Sequence, residues 1–353
     1  LRFKIMRRFF CLIIVLLFSH TAIGAREYYI TPDGETVYYN PAPRIFVYKP
    51  EEESKETISA FVLHARGEKY VLEPGGIFAA PNNRIYVTDA GEGRVKVFDV
   101  FGKIQKQLGQ PGKGPTDLRK PGSVAVSPLG DIFVADRETR KILIYDFSGD
   151  VRGALGPVGQ EEARFELPAD IAVSEEGTIF VLDSEKSRVV RYSYKKEYES
   201  SWGIFGSDAG KLNHAQSLAI GRNGDLVIAD TQNHRVEIFT PEGRLVQSFG
   251  KKGNKPVEFQ FPHTIATDKS GMIAVGDNGG ARIQFFTPLG QYLGNIRFGD
   301  GDQSMTGVNA ADLAFDSISA LYIVDSEGQR VLKIPPQDLE RILKPLKKTK
   351  GGK

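Results

Sequence analysis

The stretch Asp230-Thr-Gln-Asn-His-Arg-Val-Glu-Ile-Phe239 decides the fold, because it is one of six copies. Its aspartate recurs as Asp89, Asp136, Asp183, Asp230, Asp277 and Asp325, at steps of 47, 47, 47, 47 and 48 residues. Five positions after each stands a basic residue: Arg94, Lys141, Arg188, Arg235, Arg282 and Arg330. Six units of one period describe a closed repeat architecture rather than an enzyme domain of unique sequence.

Each unit contains four segments. A short apolar run opens it, as in Pro121-Gly-Ser-Val-Ala-Val126 and Pro262-His-Thr-Ile-Ala-Thr267. After a Gly, Asp or Asn turn comes a nearly continuous apolar run, such as Ile132-Phe-Val-Ala135 or Leu226-Val-Ile-Ala229, which fits a strand covered on both faces. The third segment begins at the basic residue. There Val95, Val97, Val236, Ile238, Ile283 and Phe285 alternate with Lys96, Glu237 and Gln284, the period-2 mark of a half-buried strand. A glycine turn (Gly102, Gly149, Gly243, Gly290) leads to the fourth, such as Leu245-Val-Gln-Ser-Phe249. No segment has the length and 3.6-residue period of a good helix. The expected fold is all-β, a six-bladed β-propeller of four-stranded antiparallel blades.

The Asp230–Phe239 stretch, followed by Gly243 and Phe249-Gly250, closely resembles the NHL repeat. The resemblance runs from Leu72 to Pro336 and implies a six-bladed ring. A WD40 propeller is disfavoured, since Trp202 is the one tryptophan and no Trp-Asp pair occurs. The last unit ends after its third strand, so the expected ring is closed by an N-terminal strand, from Arg44–Lys49 or from Thr57–Val62. An unpaired edge there would expose a row of N–H and C=O groups. Thr36-Val-Tyr-Tyr39, Asn40, Arg44 and Tyr48 also resemble a degenerate strand pair one period before Asp89, which leaves a partial seventh blade as the alternative. Tyr28, Tyr29, Tyr38 and Tyr39 cluster in this segment and are read as packing against the last blade.

The expected organisation is a signal peptide over residues 1–25, an N-terminal segment over 26–70 supplying the closing strand or strands, six repeats over 71–337, and a basic tail over 338–353. The signal reading rests on Arg2, Lys4, Arg7 and Arg8, the ten apolar residues Phe9 to Phe18, and the small residues of Thr21-Ala-Ile-Gly-Ala25, with Met6 as a candidate start. Cys11 is the one cysteine and lies in that apolar run, so the exported chain would have no disulfide and no thiol nucleophile. The expected location is a bacterial periplasm or the exterior.

The whole chain carries +2 and the signal region +4, leaving −2; residues 341–353 carry +6, so 26–340 carry −2 − 6 = −8. An acidic body argues against nucleic acid, which needs a basic footprint, although some animal NHL propellers bind RNA. The basic tail is read as a solvated end, with contact to a membrane surface as the alternative.

Four interblade connections of twelve steps each, Gly109 to Pro121, Gly156 to Pro168, Gly203 to Ala215 and Gly250 to Pro262, share one face with the turn that follows each repeating aspartate. Binding residues concentrate on such loops. The Asp/basic pairs map there too. Being present in every repeat, they are read as structural: Asp at a strand end accepts hydrogen bonds from its turn, and the basic residue pairs with it or a neighbour. Functional residues are expected where the pattern breaks. Three positions before the alanine of strand one stand Gly75, Gly122, Ala169, Gln216, His263 and Ala311 in turn, and the histidine breaks the series. His263, Gln216, the neighbouring His214, and Arg235 and Arg282 are the ligand-binding candidates.

Pro262-His263-Thr-Ile-Ala is similar to the zinc-ligand motif of peptidylglycine-amidating lyases, themselves NHL propellers. That resemblance implies three zinc-binding histidines with nearby Arg and Tyr. This sequence supplies one, with Gln216 in the preceding slot, His214 out of register, His64 outside the repeats and His234 in a turn. Catalytic zinc takes about three protein ligands. Asp300-Gly-Asp302 offers oxygens of the kind calcium takes, without further ligands at loop spacing. Gly112-Lys-Gly-Pro115 is no phosphate loop, because no helix follows it. The expectation is therefore an exported, monomeric, non-catalytic binding or scaffold propeller without a cofactor. It would recognise a protein, peptide or glycan on the interblade-loop face. The alternative is a metal-dependent lyase or hydrolase centred on His263.

Overall fold

Each of the first five repeats folds as an antiparallel sheet whose four segments follow one another in space as in sequence. The sixth repeat contributes three strands in the same order. The computed structural model describes residues 71–156, 161–298 and 309–343. It also describes the backbones of Tyr28–Ile30, Thr36–Tyr38, Ile45–Lys49, Glu52–Ile58 and Phe61–Val62. Residues 1–25, His64, the Asp300–Asp302 turn and residues 344–353 lie outside the described residues.

The innermost strands are Pro74–Ala80, Pro121–Val126, Pro168–Val173, Ser217–Ile220, Pro262–Thr267 and Ala310–Phe315, one in each of six blades. Second strands such as Ile132–Asp136, Ile179–Asp183 and Leu226–Asp230 are buried at every position, as a continuous apolar run requires. Outer strands such as Leu245–Phe249 alternate towards solvent.

The core is divided among the blade junctions. One apolar cluster joins each consecutive pair of blades, for example Leu143 and Tyr145 with Val95 and Leu108. Ile77, Val87 and Phe98 of the first blade pack with Tyr322 and Val324 of the sixth. Full burial of one such side chain stabilises by about 1.5–3 kcal/mol, so every blade depends on both neighbours.

Three expectations are corrected. The third strand is not half-buried: Lys96, Glu237 and Gln284 are all buried, Lys96 against the Asp89 and Glu92 carboxylates and the other two under the interblade loop of their own blade. Glu237 accepts the Gly210 N–H at 3.0 Å, and Gln284 binds the Val257 N–H and the Glu258 carbonyl. The fifth blade is not four-stranded, since Ile45–Lys49 and then Glu52–Ile58 add to its outer strand, Tyr292–Phe298. Finally, Pro336–Leu343 is a helix. It is short enough to escape a periodicity test, yet Leu339 and Ile342 are buried among Ile283, Ile296, Leu332 and Ile334. Elsewhere in the N-terminal segment, Tyr28–Ile30 pairs with Thr36–Tyr38, and Phe61–Val62 pairs with Arg330–Ile334.

Candidate functional site

Strand register fixes which residues share a face. In the second blade Pro121 lies opposite Asp136, Asp136 opposite Lys141, and Ile142 opposite Leu155. The start of the innermost strand, the repeating aspartate, its basic partner and the departure of the interblade loop are therefore at one end of every blade.

All six repeating aspartates are completely buried there. Each uses its carboxylate on the loop entering its own blade. Asp136 accepts the N–H groups of Arg119 and Lys120 at 2.6 and 3.0 Å, and Asp277 those of Gln260 and Phe261 at 2.9 and 2.8 Å. Arg235 Nε stands 2.9 Å from Asp230 while its other nitrogens donate to the carbonyls of Ser207, Asp208 and Lys211. Arg282 and Arg330 likewise reach Asp277 and Asp325 at 3.1 and 2.7 Å. Arg188 approaches Asp183 at 3.5 Å. The first blade differs: Lys96 contacts Asp89 at 2.9 Å, and Arg94 donates to the Gly109 carbonyl. Burial alone would raise the Asp89 pKa, but Lys96 and the N–H groups of Glu73 and Leu72 outweigh it and lower it. These pairs tie loop to blade, and the guanidinium groups of Arg235 and Arg282 are engaged in that task.

Inside the ring the innermost strands carry a β-bulge near their start. Pairing skips from Pro121 to Ser123, from Pro168 to Asp170, from Pro262 to Thr264 and from Ala310 to Asp312. A bulge turns two consecutive side chains to one side. Hence Gly122 and Ser123, Ala169 and Asp170, His263 and Thr264, and Ala311 and Asp312 all line one small cavity at the channel mouth.

The deeper layer runs Gly76, Ser123, Asp170, Ser217, Thr264 and Asp312 around the ring. Asp170, in the third blade, accepts the Ser123 and Ser217 hydroxyls at 2.7 and 2.8 Å and the Leu218 N–H at 2.9 Å. Asp312, opposite in the sixth, accepts the Thr264 hydroxyl and the Ile77 N–H, both at 2.8 Å. Gly76 is required where the first two blades approach, since a Cβ there would lie 2.3 Å from the Gly122 carbonyl oxygen. Burial raises the pKa of both carboxyls, and the Asp170 charge adds to the effect on Asp312, pushing it up to about 7.

The upper layer holds His263 and Gln216 with Arg137. His263 keeps some surface facing the channel but is walled by protein on the remaining sides. Burial, aided by the Arg137 charge, lowers its pKa to about 4, so it is neutral at pH 7. Gln216 Nε2 donates to the Ser184 hydroxyl and the His214 carbonyl at 3.0 and 3.2 Å. Of the candidates, the structure brings together His263 and Gln216. His214 turns away to Glu185, 3.8 Å distant, and His234 stacks on Phe261 with ring centres 5.3 Å apart. Among the described residues no three His, Cys, Asp or Glu side chains are grouped to hold a metal ion.

Arg137, Asp170 and Asp312 escaped the sequence reading. The pattern-break rule applied one residue after the repeating aspartate gives Ala90, Arg137, Ser184, Thr231, Asn278 and Ser326, and singles out the arginine. The two aspartates could not be placed, because strict alternation sends them away from the channel if His263 faces it.

Residues 212–239 match the NHL repeat, and residues 78–155 match a family described as a 6-bladed beta-propeller. No curated protein matches the sequence. Among solved structures, a gluconolactonase from Xanthomonas campestris superposes with a TM-score of 0.61 at 15% identity, over 88% of this chain and 99% of that one. A protein of unknown function from Bacteroides thetaiotaomicron gives 0.59 at 18%, over 87% and 86%. A streptogramin B lyase gives 0.57 at 15%, over 78% and 96%. At such identities the likeness is one of fold.

Proposed function

We propose that this chain, an NHL-repeat protein of the six-bladed β-propeller family, is an exported, monomeric binding module that takes a protein, peptide or glycan on its interblade-loop face. The observation that carries the reading is the meeting of repeat-breaking side chains. Arg137, Gln216 and His263 come from three blades and line one cavity at the mouth of the channel. Its interior has room for little more than one water, far less than a small-molecule pocket offers. This favours a ligand that lies mainly on the face and enters the mouth with one end. Exposed apolar side chains on the same loops, Ile204, Phe205 and Phe261, supply contact surface.

The lyase or hydrolase reading is disfavoured by the donor set. Among the described residues His263 has no second imidazole beside it in the cavity lining, and the carboxylates below are engaged by hydroxyl and N–H donors. We further propose that the N-terminal segment completes the sixth blade, which the register of Val62 opposite Leu332 supports.

A photo-crosslinker placed at Phe205 or Phe261, compared with Leu129 or Ile318 on the opposite face, tests the ligand face in cells. The opposite face also carries exposed apolar tips at its turns, so both must be probed. Adducts confined to the loop-face positions are expected. Adducts confined to Leu129 and Ile318 would reverse the assignment.

A further inference from the structure

Arg137 is held in an unusual way. Its Nε is buried without a hydrogen-bond partner, and no ion pair engages its guanidinium among the described residues. The equivalent positions of the next two blades are engaged: Ser184 receives Gln216 Nε2, and the Thr231 hydroxyl donates to the Pro262 carbonyl at 2.7 Å. Space has been left for it as well. A Cβ on Gly122 would stand 2.6 Å from Arg137 Nε and 3.1 Å from its Cδ. That Nε is sealed against Gly122, out of reach of a ligand. The terminal nitrogens also have no acceptor among the described residues, and a cation left so at the channel mouth points to an anion as their partner.

The surroundings narrow the anion. A guanidinium presents a planar fork matched to a carboxylate. One such group, with a neutral imidazole beside it, matches a single negative charge. A dianionic phosphate would lack a second cation and would face the Asp170 and Asp312 carboxyls in the layer below. Although Gly75, Gly122, Ala169 and Ala311 are small, the opening they line has room for little more than a water, so only a small terminal group could sit at its rim. The apolar Ile204, Phe205 and Phe261 on the surrounding loops suit amino-acid side chains better than sugar hydroxyls.

We infer that the channel mouth is a receptor for the terminal carboxylate of a peptide, with Arg137 as the group that holds it and His263 as its neighbour in the lining. This rests on the loop-face reading and names its ligand.

Calorimetric titration of the full chain with N-acetyl-Phe-Ala-Ala as free acid and as C-terminal amide tests the inference. The acid is expected to bind at least tenfold more tightly than the amide. Arg137→Gln should bring acid binding down to the level of the amide, and Arg137→Lys should retain part of it, each checked for an unchanged melting temperature. The acid/amide comparison on the unaltered protein needs no variant, so a folding failure would not rescue the idea. Equal binding of acid and amide, or binding of neither, overturns it. So does acetate binding as tightly as the peptide, or a trigalacturonate binding more tightly. If loop-face crosslinks persist in Arg137→Gln while the acid preference is missing, this inference falls and the face assignment stands. If the acid binds through Arg137 but crosslinks appear only on the opposite face, the reverse holds.

Discussion

The Asp312 carboxylate accepts the Ile77 N–H at 2.8 Å, joining the sixth blade to the first across 235 residues of chain. The same carboxylate accepts the Thr264 hydroxyl and the Leu313 N–H. Asp312→Ala leaves these buried donors without an acceptor, at about 1–3 kcal/mol for each group left unsatisfied. Urea unfolding should show a loss of at least about 3 kcal/mol by that arithmetic. A loss below about 1 kcal/mol, the net worth of an ordinary hydrogen bond, would mean that the ring does not depend on this contact.

Stability should rise as pH falls from 8 to 6.5. Asp312 has a folded pKa of about 7 against about 3.9 in an unfolded chain. Between those values the native state holds a proton that the unfolded state has released, so stability is lost as pH rises towards 7. His263 has the opposite sign. Its folded value of about 4 lies below the unfolded value of about 6.5, so its contribution is lost as pH falls through that window. Urea midpoints measured from pH 8 to 5 should therefore climb and then level off. Asp312→Asn should reduce the climb, leaving only the share that Asp170 carries, and His263→Ala should extend it. A wild-type midpoint that falls between pH 8 and 6.5 would contradict the assignment.

Asp277→Ala should be among the most damaging single changes in the blades. It leaves Arg282, whose side chain is 1% exposed, with the Asn254 and Glu258 carbonyls but no counter-charge, and frees the N–H groups of Gln260 and Phe261. Breaking a buried pair from one side costs about 3–5 kcal/mol. Hydrogen exchange should localise the loss to the loop before Pro262. Uniform loss of protection across all blades would argue that the clamp is not local.

Leu339→Ala tests the helix. Leu339 is 2% exposed at the junction of the fifth and sixth blades, where such a truncation costs about 2–5 kcal/mol. A change under about 0.5 kcal/mol, typical of surface positions, would show that the helix is not docked in solution.

Much of this molecule was legible before folding was considered. The 47-residue step, the apolar run before each aspartate and the glycine turns are local, repeated six times, and lead to six antiparallel blades. The structural role of the Asp/basic pairs follows from the same logic, because a feature every blade carries serves every blade. His263 and Gln216 were visible as breaks in that pattern.

What the chain alone could not disclose depends on contacts distant in sequence. The bulge at Pro262–Thr264 turns neighbouring residues to one side and so defeats the period-2 rule. Asp170 and Asp312 become a pair only because a six-membered ring sets the third and sixth blades opposite each other. Glu237 and Gln284 look solvent-facing in sequence and are buried by loops folding over them. Strand identity and blade number are decided by side-chain periodicity, which a sequence carries. Which side chains face the channel together is decided by closure of the ring, which only the tertiary structure contains.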